Sequence, residues 1–114
     1  MAEEIIYINL DAGSKRVNNN TKLYAKLLGK FKEDPSLNEL DAALLEANME
    51  KAQNSIHALK GLAANLSLME LYKQCIELET QIKAGNVNPN QVAVVKDVYI
   101  QTVIEADKVI IEYA

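Results

Sequence analysis

From Leu23 to Ile82, apolar residues return at steps of three and four, and this spacing constrains the chain more than any other feature. Leu23, Tyr24, Leu27, Leu28 and Phe31 form one such stripe; Leu37, Leu40, Leu44 and Ala47 form the next. Met49, Ala52, Ile56, Leu59, Ala63 and Leu66 form a third, and Leu68, Leu71, Cys75, Leu78 and Ile82 a fourth. A period near 3.6 puts each set on one side of a helix, and that side must be buried. Only 4 glycines and 2 prolines interrupt 114 residues, which favours long helices.

The boundaries can be read the same way. Asp11 is a candidate cap for a short helix through Val17, and Asn19 or Asn20 for the helix from Thr21 to about Glu33. Asp34-Pro35 stops that helix, because a residue before proline disfavours α geometry. Ser36 and Glu39 have capping-box spacing, Asn48 precedes the third stripe, and Gly85 stands where a helix-ending glycine belongs. Asn88-Pro89 opens a last segment to Tyr113. Its valines and isoleucines favour strand, but Asp97, Gln101, Glu105, Lys108 and Glu112 recur at helical spacing, so one long helix is expected. Ile5-Ile6-Tyr7-Ile8 is β-prone yet has no partner strand nearby, so residues 1–9 are expected to form an extended or irregular lead-in. The expected fold is all-α: one domain over residues 1–114, an antiparallel up-down four-helix bundle with a short N-terminal helix or extended lead-in.

The third stripe carries the one histidine of the chain. His57 follows Ile56, so it lies about 100° around the helix from the stripe and faces outward. Gln53, Asn54, Lys60, Gly61 and Ala64 are its neighbours on that face. A glycine inside a helix costs about 1 kcal/mol relative to alanine. At position 61 it leaves clearance beside the imidazole.

His57-Ala58-Leu59-Lys60-Gly61, followed by Ala63-Ala64-Asn65-Leu66, resembles the H-x-L-K-G signature of histidine phosphotransfer (HPt) domains of two-component phosphorelays. Leu23-Tyr24, Leu27-Leu28 and Phe31 resemble that family's first bundle helix, and Leu71, Cys75, Leu78 and Glu79 the helix after the motif. Ser67 departs from it, where many members carry glycine. The resemblance implies that His57 is a phosphoacceptor, taking a phosphoryl group from a receiver-domain aspartate and passing it to another. Gln53, Asn54, Lys60, Gly61 and Ala64 would support it, with Ala58 and Leu62 as docking contacts.

The chemistry of the residues fits this. A free-base imidazole is a nucleophile for phosphorus, and Lys60, one turn on, can offset the added negative charge. Phosphoryl transfer also needs Mg²⁺ and a preorganised cradle, yet no cluster of acids and no Walker-type loop accompanies His57. The domain is therefore read as a phosphocarrier and not an enzyme. It needs no cofactor of its own, and the partner receiver is expected to bring the Mg²⁺. One histidine and one cysteine make a metal site an unfavoured reading. Tyr24, Tyr72 and Tyr99 are expected in or at the edge of the core.

A net charge of −4 without a basic face argues against nucleic acid. No apolar run nears the roughly 20 residues of a membrane span, and no signal sequence is evident. A lone cysteine, Cys75, fits a reducing compartment. A cytoplasmic monomer is expected, whose partners are receiver domains and possibly a hybrid histidine kinase. Two rival readings remain: a docking scaffold that binds a receiver or kinase without being phosphorylated, and the phosphoacceptor domain of a chemotaxis-type kinase.

Overall fold

Four asparagines start four of the six helices. In the computed structural model, which describes residues 5–114, the side-chain oxygens of Asn9, Asn20 and Asn48 accept from backbone N–H groups three residues on. Asn88 does the same for Asn90, with Pro89 in the first turn. Each bond satisfies a donor that a helix start otherwise leaves unpaired. The helices are α1 (Leu10–Lys15), α2 (Thr21–Lys32), α3 (Ser36–Leu45), α4 (Met49–Asn65), α5 (Met69–Lys83) and α6 (Pro89–Tyr113), and no strand occurs among the described residues.

Two expected caps are corrected. Asn9 caps α1, leaving Asp11 in its first turn. The Ser36–Glu39 box does not form: Pro35 is already in the helical region, so Ser36 becomes the first helical residue and its N–H donates to the Asp34 carboxylate at 2.9 Å.

Three C-termini close alike, although only one ends in glycine. Gly85 (φ 69°), Ser67 (φ 56°) and Ala47 (φ 54°) all adopt the left-handed conformation. The following N–H groups reach back to the carbonyls of Gln81, Ala63 and Ala43 at 3.0, 2.9 and 2.8 Å. Ser67 thus takes the geometry that glycine would take more readily. The backbone bonds around it outweigh the penalty.

Helices α3 and α5 flank α4, and α6 packs on α5 and α2. Two ion pairs set the remaining register: Lys32 with Asp107, and Asp41 with Lys96 at 2.7 Å. Numbers rise along α2 and α3 while they fall along α6, so the 25-residue α6 runs antiparallel to both. The fold is thus an all-helical antiparallel bundle, as expected.

Leu28, Phe31, Leu40, Ile56, Leu59, Leu71, Cys75 and Leu78 fill its core. Leu23, Ala47 and Met49 are instead exposed, because they sit at helix ends beyond the packed length. Of the tyrosines, Tyr24 is buried and donates its hydroxyl to the Leu66 carbonyl, and Tyr99 is half-buried against Phe31 with ring centroids 5.1 Å apart. Tyr72 is exposed, contrary to expectation, because it lies on the outer side of α5.

The lead-in is irregular, as expected, over residues 5–9; residues 1–4 of that expectation lie outside the described residues. Asn9 N–H donates to the Ser67 carbonyl at 3.0 Å, and Met69 N–H to that of Tyr7 at 3.1 Å. These bonds fasten the lead-in to the α4–α5 turn. Gly13 then lets α1 lie on Tyr24, since a Cβ there would overlap the tyrosine ring.

Candidate functional site

Burial of Ala52, Ser55, Ile56, Leu59 and Ala63 sets the rotation of α4 and turns position 57 outward. The His57 side chain is 72% exposed. Next to it α5 presents Glu79, whose side chain is only 7% exposed although it is charged. A carboxylate is rarely buried unless it is paired. Glu79 is paired twice: Oε2 lies 3.1 Å from His57 Nδ1, and Oε1 accepts from Lys60 Nζ at 2.6 Å. Lys83 adds a second ammonium at 4.0 Å.

This arrangement fixes the chemistry of the ring. A carboxylate can only accept, so the nitrogen facing it carries the proton. In the neutral ring the lone pair is then on Nε2, the atom directed away from Glu79. Burial alone would raise the Glu79 pKa. The hydrogen bonds from Lys60 and His57, aided by the charges of Lys60 and Lys83, outweigh it and bring the pKa below the ordinary carboxylate value. The Lys60 pKa is raised, chiefly by its hydrogen bond to Glu79.

Position 61 is open: a Cβ built there meets nothing within 4 Å. The fold therefore does not require glycine here, and the clearance lies entirely on the solvent side. Gln53 and Asn54 are exposed on the same helix, and neither hydrogen-bonds the ring among the described residues. Ala64 is half-buried and lines a shallow cavity with Arg16, Ser67, Met69 and Tyr72. Ala58 is exposed, whereas Leu62 packs in part against the core.

The structure thus joins His57 and Lys60 through a residue to which sequence reasoning gave no role. Glu79 stands four residues after Cys75, among the buried positions Leu71, Cys75, Leu78 and Ile82. A charge on a buried stripe was the available signal. A single carboxylate, that of Glu79, touches the ring among the described residues.

The protein-family model described as Hpt domain matches residues 26–106, well over half of the chain. The chain belongs to the Hpt family. Comparisons with curated proteins and with solved structures found no match. Hpt domains are phosphotransfer carriers of two-component systems, phosphocarriers rather than catalysts, and they interact with response-regulator receiver domains. The helical bundle described above is the fold of such a domain. Among the described residues no helix is long and apolar enough to cross a membrane.

Proposed function

We propose that His57 is the phosphoacceptor, and that it relays a phosphoryl group between receiver-domain aspartates. The observation that carries this reading is the contact of Nδ1 with the buried Glu79 carboxylate, which leaves Nε2 as the free nitrogen of an exposed ring. Nε2 attacks the phosphorus of an aspartyl phosphate, so a P–N bond forms while the P–O bond breaks. The aspartate leaves as carboxylate with the electron pair. The ring takes on positive charge and keeps its Nδ1 proton, facing Glu79, which favours the product electrostatically. Lys60, anchored on the same carboxylate, sets a cation within one turn of the phosphoryl oxygens. The receiver supplies the aspartate and the Mg²⁺ on this reading, so neither is needed from this chain.

The same reading makes the chain a monomeric cytoplasmic carrier, served by receivers that include those of hybrid kinases. A scaffold that only binds would have no use for a proton-bearing Nδ1 held on a buried carboxylate. The test is transfer from a phosphorylated receiver, followed by intact mass, acid lability and site mapping. One acid-labile phosphoryl group mapping to His57 is expected, and transfer to any other residue would overturn the assignment.

Gly61→Ala separates fold from function at this site. The added methyl is unopposed, so melts in denaturant should show a gain of up to about 1 kcal/mol from helix propensity. Transfer from the receiver should nonetheless slow, because the methyl occupies the clearance beside the ring. A variant that is more stable and equally fast would remove the functional reason for this glycine.

A further inference from the structure

On the outer side of α5, Met69, Tyr72 and Ile76 precede Glu79 at helical steps of three and four. They form one line that ends at the histidine site and extends over about 15 Å. With Ile5 and Ile6 of the lead-in, and with Glu70 and Lys73 of α5, they line an open groove of about 630 Å³. The five apolar side chains are between 38% and 58% exposed. A mainly apolar groove of this kind, edged by one acidic and one basic side chain, marks an interaction surface rather than ordinary surface composition. Backbone bonds at Tyr7 and Asn9 tie the residues just after the two isoleucines to the α4–α5 turn, which sets the isoleucines beside the groove. These residues also precede the stretch that matches the family, residues 26–106.

We infer that the receiver domain covers this groove when it meets His57, and that Ile5 and Ile6 are docking residues for it. The inference rests on the carrier reading above. A receiver must approach His57 closely enough for its aspartyl phosphate to reach Nε2, and the groove continues from that point along α5. The receiver is the occupant, with the lead-in bounding the contact at its far end. The other exposed isoleucines, Ile100, Ile104 and Ile111, are on α6, which packs on α5 and α2, so they provide a control.

The experiment compares the full chain with the double variant Ile5→Ser, Ile6→Ser and with Ile104→Ser, using two readouts. The first is transfer from a phosphorylated receiver, resolved into KM and kcat. The second is labelling by phosphoramidate, a small donor that needs no docking surface. The double variant should raise KM about tenfold, the effect of losing a strong apolar contact at an interface. Its kcat, its phosphoramidate labelling and its melting curve should match wild type, as should all properties of Ile104→Ser. An unchanged KM would overturn the inference. So would a KM that stays constant while sedimentation shows wild-type self-association abolished in the double variant, since the groove would then take a second copy. Wild type that is labelled by phosphoramidate but by no receiver would instead remove the carrier reading itself.

Discussion

His57→Gln is expected to take up no acid-labile phosphoryl group from any donor, receiver or small molecule. The loss should be complete within detection, at least about a thousandfold, because removing a nucleophile eliminates the covalent step instead of slowing it. Glutamine suits the test because its amide N–H can still donate to Glu79, so the carboxylate keeps a partner from α4. His57 is largely exposed, so stability should stay within about 0.5 kcal/mol of wild type in denaturant melts. Receiver binding should persist, since the groove along α5 is untouched. Intact mass before and after acid treatment checks the result. An acid-labile adduct on the variant would place the phosphoacceptor elsewhere.

The elements were legible because they are local. Three-four spacing and asparagine caps depend on neighbours within a turn or two, so α2 to α6 and most of their starts could be read directly. The Ser36–Glu39 box failed on one local detail, since Pro35 takes the N-cap position with helical backbone angles and the Ser36 N–H donates to the Asp34 carboxylate. Ser67 shows the limit of reading turns by composition. A left-handed residue ends α4 without glycine, held by bonds from Ser67 N–H to Ala64 and from Leu68 N–H to Ala63.

The candidate site divides in the same way. The outward direction of His57, the openness at Gly61 and the nearness of Lys60 are properties of a single helix, so the stripe predicts them. The Glu79 contact spans 22 residues and two helices, and it exists only because α4 and α5 pack at one particular rotation. Nothing in local spacing sets that rotation. The same holds for the groove, where Ile5 and Ile6 meet α5 through bonds that the lead-in makes to the α4–α5 turn. Local rules placed His57, and tertiary packing supplied the carboxylate beside it.

Glu79→Gln is expected to have the second largest effect, and it tests that carboxylate by two independent readouts. Glutamine keeps the shape but loses the charge, and its amide can turn either oxygen or nitrogen toward His57 Nδ1. With nitrogen presented, the ring proton moves to Nε2 and the nucleophilic lone pair is lost from the exposed side. With oxygen presented, the tautomer survives but the charge gained by the ring is no longer offset. Either way transfer from the receiver should slow roughly tenfold or more, by analogy with the loss of a group that orients a metal-binding histidine. The second readout is stability against pH. The Glu79 pKa is lowered in the folded state, so its contribution is present above the unfolded value of about 4.3 and fades as pH falls through the folded one. The Lys60 pKa is raised, so its share is complete below about 10.4 and fades as pH rises through the folded value. The stability difference between wild type and Glu79→Gln should therefore be flat from about pH 5 to about pH 10 and shrink on both sides. Transfer that is unaffected, together with the expected stability profile, would reduce Glu79 to a structural partner of Lys60. Slowed transfer with that profile would identify it as the residue that holds the His57 ring ready to react.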